Sequence, residues 1–396
     1  MDDLTARPGT TVVMDSLTAG SRRARAAAMS HLEQALRTDG WARICCADLA
    51  APTEAIYRAA AMVFSDSDLC DLHRRDVLSG ECLACTYLGA GEEPLYDEDA
   101  RKQHVHSLNM HEVLSADECD ERLGSNASYD AEERALAHAY HSWPPCEATD
   151  ALRMASTNLR HALTSCVCAP LLSVFALLLG LEEDWVANRC SMRRSDNTSL
   201  LRCLEYPRVD AADADGAWGV SVHTDFECFS LLHEDTPGLE LCAPDGTWHL
   251  PAEAASAADA SWILIVGDMV EILSSGYILA TPHRVRPTRA VANAPRRSLV
   301  FFQALDENEA LAPLSGEAAH RSPTGGFRRW WDEKREEENA RGRRRERGLL
   351  ASVTGPITQR EWTELKDGAG RERLRERAQA ESDKDNMNHD GVRDHS

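Results

Sequence analysis

Residues 218–232, WGVSVHTDFECFSLL, place short apolar runs on either side of a histidine and an aspartate. Similar runs follow one another across residues 199–305, separated by turn-forming Gly, Pro and Asp: SLLRCLEYP (199–207), GLELCAPDGTWHL (238–250), SWILIVGDMVEIL (261–273), ILATPHRVRP (278–287) and RRSLVFFQAL (296–305). Short strands at this spacing are typical of an all-β sandwich or barrel. We therefore predict a mainly β core with flanking helices.

The region before this core is predicted to be helical and irregular. Helical spacing of apolar residues predicts a helix over 22–38, another over 52–74, and one long helix or two consecutive ones over 146–181. TVVMDSL at 11–17 and WARICC at 41–46 have the pattern of short strands, whereas 75–130 is irregular by pattern. The most apolar stretch, 166–181, is short for a membrane span and contains a proline, so we interpret it as a buried core helix.

Four segments follow from these patterns. Residues 1–198 form an N-terminal region that braces the core, and residues 199–305 form the core itself. Residues 306–365 form a C-terminal segment that contains a charge-dense helical insert at 328–348, whose role stays open. Residues 366–396 are polar and poor in large apolar side chains, so we expect them to be disordered.

Net charge and cysteine content indicate which partners and which cellular location to expect. The chain has 65 acidic and 43 basic residues, a formal net charge of −22, which argues against nucleic acid or an anionic membrane as a partner. The N-terminus has no apolar segment typical of a secretory signal. Thirteen cysteines, an odd number, then favour a reducing, cytoplasmic location over a disulfide framework. We expect a monomer that acts on a small molecule.

One set of side chains has the residue types of a metal-binding site. His223 and Asp225 are two residues apart in a strand-like run, where alternate side chains share a face. His283 follows at what we predict to be the end of a later strand. Two histidines and one carboxylate are the ligands of non-haem Fe(II) oxygenases, and they leave coordination positions open. By itself, a His-x-Asp pair with a distant histidine is a weak signal.

A second set of side chains suits a small carboxylate. Arg296 and Ser298 are also two residues apart on a predicted strand, and a guanidinium beside a hydroxyl is a good carboxylate clamp. Tyr206 ends another predicted strand and could bring a phenol to the same pocket, or could be an ordinary core tyrosine. Arg297 alternates to the opposite face of its strand.

These segments, in this order, resemble the isopenicillin-N-synthase-like branch of the Fe(II)/2-oxoglutarate-dependent dioxygenases. The similarity runs through HTDFECFSLLHEDTPGLEL (223–241), VGDMVEILSSGYILATPHRV (266–285) and RRSLVFF (296–302), and extends more weakly to about residues 10–365. Leu204 and Glu205 depart from the family pattern, which often has an asparagine and an aromatic residue before the Tyr-Pro pair.

The resemblance implies a distorted double-stranded β-helix, or jelly roll. It implies that His223, Asp225 and His283 bind Fe(II), that Arg296 and Ser298 hold the distal carboxylate of 2-oxoglutarate, and that Tyr206 also reaches this co-substrate. The implied reaction uses O2 to oxidise a C–H bond of a small molecule, by hydroxylation, desaturation or cyclisation, and releases succinate and CO2. Two alternatives stay open: an oxidase of the same fold that does not use 2-oxoglutarate, and a binding protein that has lost turnover.

Overall fold

Two β-sheets form the centre of the protein. The computed structural model describes residues 6–79, 84–90, 92, 105–113, 117, 143–144, 146–190, 199–207, 219–243, 246–252, 261–274, 276–285, 295–306, 309–311 and 357–358. Among them, the strands are β1 (Ala6–Arg7), β2 (Thr11–Val13), β3 (Trp41–Cys45), β4 (Cys85–Leu88), β5 (His106–Met110), β6 (Leu200–Tyr206), β7 (Val220–His223), β8 (Phe229–Glu234), β9 (Leu239–Cys242), β10 (Trp248–Pro251), β11 (Ser261–Val266), β12 (His283–Val285), β13 (Arg296–Gln303), β14 (Ala310–Leu311) and β15 (Ile357–Thr358).

The larger sheet has eight strands in the order β2-β3-β11-β8-β13-β6-β5-β4, and the smaller has five in the order β1-β10-β9-β12-β7. The pairs β1–β10 and β2–β3 are parallel, whereas every other pair within these two sheets is antiparallel. A small third ladder joins β14 to β15. Two facing, mainly antiparallel sheets with crossing connections confirm the predicted jelly-roll core.

Apolar side chains from both sheets meet in one buried cluster between them. Leu239, Leu241 and Val285 come from the smaller sheet, and Leu204, Leu232, Ile263 and Val300 from the larger one. Alternation along each strand sends the intervening side chains of the larger sheet to its other face. That face needs a cover, because its residues are equally apolar.

Helices provide the cover. They are α1 (Met14–Thr18), α2 (Arg22–Thr38), α3 (Ala50–Phe64), α4 (Ser67–Ser79), α5 (Glu147–Ala162), α6 (Ala169–Leu178) and α7 (Asp268–Leu273). Phe175 of α6 stacks on Phe229 of β8, with ring centroids 5.4 Å apart. A second buried cluster joins these helices to the outward-facing residues of the larger sheet, including Leu201, Leu231, Leu264 and Phe301. The predicted arrangement of helices bracing one sheet is therefore present.

The segment 147–178 runs as one continuous helix in which a π-helical turn, Leu163–Cys168, separates α5 from α6. Thr164 and Ser165 donate side-chain hydrogen bonds to the carbonyls of Arg160 and His161, and such bonds locally distort a helix. By length and composition this helix could cross a membrane, yet half of its most apolar window is buried inside the protein. Its burial against the larger sheet agrees with the core-helix interpretation.

Several local expectations were wrong. The helix over 52–74 is two helices, because the Asp66 side chain accepts hydrogen bonds from the backbone N–H groups of Asp68 and Leu69 and so caps α4. The strand over 11–17 stops at Val13, and a short helix follows. The region 75–130 contributes β4 and β5, which extend the larger sheet beyond β6. Their pairing is long-range, so a local pattern does not reveal it.

Other expectations lie outside the described residues. These are the charged insert at 328–348 and the disordered tail at 366–396. The four segment boundaries also stay a prediction.

Candidate metal and co-substrate site

Three side chains meet where the chain passes from the smaller sheet to the larger one. His223 is the last residue of β7, and His283 is the first residue of β12, directly opposite it in the antiparallel pair. Asp225 lies in the turn that connects β7 to β8. From the sequence we expected His223 and Asp225 to lie on one strand and His283 to lie at the end of a strand. Both expectations were wrong, because Asp225 lies beyond the end of β7 and His283 is the first residue of β12. A turn, rather than strand alternation, brings the carboxylate beside the imidazoles.

The potential ligand atoms of these three residues all lie within 4.8 Å of one another. The Asp225 Oδ1 atom is 3.5 Å from Nε2 of His223 and 3.6 Å from Nε2 of His283. The two imidazole centroids are 4.1 Å apart, and the rings are tilted by 50°. All three side chains are buried or nearly so. One cation could therefore contact all three residues.

Backbone carbonyls fix the orientation of both imidazoles. Nδ1 of His223 lies 2.8 Å from the Ser221 carbonyl, and Nδ1 of His283 lies 3.1 Å from the Thr281 carbonyl. A carbonyl only accepts, so Nδ1 of each ring is the donor in these contacts, and Nε2 is the ring nitrogen that faces Asp225. This is the arrangement that metal-binding histidines use.

Asp225 is held as a carboxylate. Burial by itself raises the pKa of this carboxyl, but His283, His223 and the hydroxyl of Ser230 together lower the pKa below its usual value. Ser230 donates a hydrogen bond to Oδ2, which leaves Oδ1 directed at the histidines. A carboxylate oxygen beside the Nε2 atoms of two imidazoles is a donor set that suits a divalent cation.

The turn that carries Asp225 is locked onto the start of α7. The backbone N–H of Asp268 donates to the Asp225 carbonyl at 2.9 Å, and the N–H of Gly267 donates to the Cys228 carbonyl at 3.0 Å. A Cβ at Gly267 would lie 2.1 Å from the Glu227 carbonyl oxygen, so only glycine permits this approach. Asp268 therefore supports the turn through its backbone N–H.

The second predicted set also converges. Arg296 and Ser298 of β13 are both buried, and Arg296 lies opposite Tyr206 in the β13–β6 pair. The Arg296 guanidinium carbon is 4.6 Å from the centroid of the Tyr206 ring, and the Ser298 hydroxyl is 3.5 Å from the Tyr206 hydroxyl. Arg297 points to the other face and binds Glu205 at 2.7 Å. The predicted alternation along this strand is therefore present.

Arg296 keeps one donor for a further anion. Its Nε donates to the Thr236 carbonyl at 2.8 Å, and its Nη2 donates to Glu234 at 2.5 Å. Its Nη1 is buried and has no hydrogen-bond partner among the described residues. An unpaired guanidinium N–H in the interior is costly unless a ligand accepts from it. The residues present therefore fit a buried carboxylate such as that of 2-oxoglutarate.

The inner face of β8 connects the candidate metal ligands to the residues around Arg296. Ser230, Leu232 and Glu234 alternate along the inner face of β8, so the residue that bonds Asp225 and the residue that bonds Arg296 are four positions apart. At about 3.3 Å per residue this is roughly 13 Å of strand.

Sequence reasoning missed three inward-facing residues. Ser230 and Glu234 belong to the β8 run, and the alternation that singled out Arg296 could have singled them out as well. Arg202 shares the inner face of β6 with Tyr206, donates to the Asn109 side chain at 2.6 Å, and lies 5.8 Å from the centroid of the Phe302 ring. Phe302 pairs with Ser230 across the sheet, which places Phe302, with Arg202 beside it, next to the residue that bonds Asp225.

Comparison with known proteins agrees with this geometry. Residues 197–304 match the model of the 2OG-Fe(II) oxygenase superfamily. The chain therefore contains a 2OG-Fe(II) oxygenase domain. The matched range lies within one or two residues of the predicted core, 199–305, and confirms the family resemblance. The cofactor expectation of Fe(II) and 2-oxoglutarate is confirmed with it.

Curated proteins that are similar to this chain include several dioxygenases. Gibberellin 2-beta-dioxygenase 3 of Arabidopsis thaliana is 32% identical over 123 residues, which are 30% of this chain and 34% of the relative. Leucoanthocyanidin dioxygenase 2 of Oryza sativa subsp. japonica is 32% identical over 157 residues, 37% of this chain and 39% of the relative. The chain thus matches little more than a third of the length of these relatives.

Solved structures match over a longer range and support the fold. A full-length Neurospora crassa protein, solved in complex with alpha-KG, superposes with a TM-score of 0.61 at 14% identity, covering 92% of this chain and 97% of the other. The rice dioxygenase for auxin oxidation gives a TM-score of 0.55 at 19% identity, covering 86% and 98%. The oxygenase fold therefore extends well beyond residues 197–304.

Proposed function

We propose that this chain is an Fe(II)- and 2-oxoglutarate-dependent oxygenase that oxidises a C–H bond of a small molecule. The observation that carries the proposal is the cluster of His223, Asp225 and His283, in which both Nε2 atoms lie within 3.6 Å of one carboxylate oxygen. Three ligands on one side leave the other coordination positions for co-substrate and oxygen. The names of the curated relatives support the same reaction class.

Each residue has a proposed task. His223, Asp225 and His283 would hold Fe(II), which, with 2-oxoglutarate and O2, supplies the oxidant for the C–H bond. Arg296 would bind the distal carboxylate of 2-oxoglutarate through the buried Nη1, and Ser298 would donate its hydroxyl to the same carboxylate. Burial raises the pKa of Tyr206, which keeps its hydroxyl protonated as a donor beside this clamp.

Substrate would enter on the side of Phe302 and Arg202, which are only half-buried. An aromatic ring and a guanidinium favour a partly apolar molecule that carries an acceptor or an anionic group. Similar proteins are named for gibberellin, leucoanthocyanidin and auxin, so they support a small organic molecule as the substrate class rather than one compound. Hydroxylation, desaturation and cyclisation all begin at such a C–H bond.

One observation favours a rival. Glu234 already supplies a carboxylate to Arg296, and an oxidase that does not use 2-oxoglutarate could keep this ion pair as its resting arrangement. A further rival is a binding protein without turnover. The buried Nη1 of Arg296, which a 2-oxoglutarate carboxylate would satisfy, favours the 2-oxoglutarate-dependent enzyme over the oxidase. The oriented histidines favour either enzyme over the binding protein.

Succinate release tests the proposal. Purified protein would be supplied with Fe(II), 2-oxoglutarate and O2 and screened against a panel of small organic acids and polyols. We expect at least one compound to stimulate succinate formation, and Asp225→Ala to abolish it. Substrate oxidation without succinate would identify the oxidase instead. Absence of both oxygen uptake and 2-oxoglutarate binding would favour the binding protein.

We also propose that the protein works in a reducing compartment. The eleven cysteines in the described residues are present as thiols, and eight of these are buried: Cys46, Cys70, Cys85, Cys168, Cys190, Cys203, Cys228 and Cys242. Buried thiols outside disulfides are the ordinary state of cytosolic proteins, which supports this proposal.

A further inference from the structure

A second group of potential metal ligands lies outside the oxygenase centre. The thiols of Cys46 and Cys166 and the carboxylate of Asp48 all lie within 4.8 Å of one another. The Cys166 sulfur is 3.7 Å from Oδ2 of Asp48. Cys46 is 9% exposed, whereas Cys166 is half-buried and Asp48 is exposed. The group is therefore anchored in the core and open to solvent on one side.

Two irregular backbone features bring the three residues together. Cys46 follows β3 and caps a single 3₁₀ turn, Ala47–Leu49, that carries Asp48. Cys166 belongs to the π-helical turn Leu163–Cys168 that interrupts the long helix 147–178. Turns of this kind inside a helix occur frequently at functional sites. The π-helical turn is thus the local feature of the helix that presents Cys166 to the end of β3.

The distance between Cys166 and Asp48 is the one expected between two ligands of a small tetrahedral ion. A Zn–S bond of about 2.3 Å and a Zn–O bond of about 2.0–2.2 Å put neighbouring ligand atoms about 3.5–3.8 Å apart in a tetrahedron. The observed 3.7 Å between the Cys166 sulfur and Asp48 agrees with this. Two thiolates select zinc-like cations over Mg²⁺ or Ca²⁺, which prefer oxygen.

We propose that Cys46, Asp48 and Cys166 form a binding site for one Zn²⁺-like divalent cation, with water as the fourth ligand. The cation would join the end of β3 to the long helix and so stabilise the helical cover of the larger sheet. It is independent of the proposed iron site, since the two groups share no residue.

Cation binding at this site would depend on pH. Burial raises the pKa of the Cys46 thiol, and the nearby groups Cys166, Asp48 and Asp15 raise it further, while the backbone N–H of Asp48 acts in the opposite direction. The thiol must lose its proton to bind the cation, so affinity should increase as pH rises.

Cobalt provides a probe that reports thiolate ligation directly. The full-length His223→Ala/His283→Ala variant, which lacks the proposed iron site, would be reduced, freed of metal and titrated with Co²⁺ and then with Zn²⁺. We expect a thiolate-to-cobalt charge-transfer band with one bound equivalent, displaced by Zn²⁺. Cys166→Ser, introduced into the same variant, should weaken Co²⁺ binding by more than about tenfold. Removing a residue that only hydrogen-bonds to a metal ligand already costs about tenfold, and Cys166 is a proposed ligand itself.

A matched control separates this site from nonspecific thiol binding. Cys146 is a half-buried thiol just before the same helix and lies outside the group, so Cys146→Ser should leave the charge-transfer band unchanged. An equal loss in Cys146→Ser and Cys166→Ser would overturn the proposal, and so would a band that survives in the Cys46→Ser/Cys166→Ser chain. Because Cys166 is half-exposed, Cys166→Ser should fold normally, which a thermal melt in EDTA would check.

Discussion

The Arg296 guanidinium carbon lies 4.6 Å from the centroid of the Tyr206 ring, although the two residues are on different strands and far apart in sequence. They are direct partners in the pairing of β13 with β6. A slip of one residue in this register would turn one of the two side chains to the other face of the sheet. The proposed carboxylate clamp therefore depends on the pairing register as much as on residue type.

Replacing Arg296 tests the clamp. Arg296→Ala should raise the 2-oxoglutarate concentration needed for half-maximal succinate release by roughly thirty- to a thousand-fold, because a lost charge-assisted contact costs about 2–4 kcal/mol. Arg297→Ala is the matched control: its side chain faces away and pairs with Glu205, so we expect less than about a threefold change. Similar values for the two variants would contradict the assignment of the clamp.

The iron ligands can be tested apart from turnover. His223→Ala and His283→Ala should each abolish stoichiometric Fe(II) binding, measured by elemental analysis after anaerobic desalting. The sheets close through apolar contacts that involve neither imidazole, so both variants should fold in EDTA with the secondary structure of the parent. Normal iron content and normal succinate release in both variants would contradict the assignment of His223 and His283 as iron ligands.

Ser230 positions the carboxylate without touching the metal. Ser230→Ala removes the hydrogen bond to Asp225 Oδ2 and should weaken Fe(II) binding by about 10–100-fold. Ser230→Thr keeps the hydroxyl and should restore most of the affinity. If alanine and threonine variants bound iron equally well, the hydrogen bond would have no part in orienting Asp225.

A buried histidine should make stability depend on pH. Burial, with a smaller effect from Arg43, lowers the pKa of His233 to about 4, whereas the unfolded chain has the ordinary value of about 6.5. Between these values the unfolded chain binds more protons, so the free energy of unfolding should fall as pH drops from about 6.5 to about 4. The loss should be about 2–3 kcal/mol.

Urea denaturation at pH 7 and pH 4.5 would measure this loss. His233→Gln should reduce the difference in unfolding free energy between the two pH values, although it also disturbs the contact between the ring and the Tyr57 hydroxyl and lowers stability overall. His161→Gln, at an exposed position of α5, is the control and should leave the pH difference unchanged. An unaltered pH difference in His233→Gln would exclude His233 as its source.

The contact between helix and sheet gives a stability test. Phe175→Ala removes the ring that stacks on Phe229 in the fully buried cluster and should cost about 3–5 kcal/mol of unfolding free energy. Met154→Ala, on the same long helix but 62% exposed, should change stability by less than about 0.5 kcal/mol. Chemical denaturation of both variants would show whether this helix is a core element.

The sequence by itself determined the β core, the helix over 22–38, the family and the six candidate site residues. These inferences rest on local periodicity and on residue types in a fixed order, which a single chain displays directly. Alternation along β13 was enough to separate Arg296 and Ser298 from Arg297, because strand geometry has a strict period of two.

Only the tertiary structure decided how Asp225 reaches the histidines. It also showed that β4 and β5 extend the larger sheet. Ser230 was found to bond Asp225, and Glu234 was found to bond Arg296, only through the folded structure. Each of these depends on contacts between residues distant in sequence, such as the hydrogen bond from Asp268 to Asp225 and the ion pair from Glu234 to Arg296. Local patterns do not encode such contacts, because sheet pairing and turn packing are selected by burial across the whole fold.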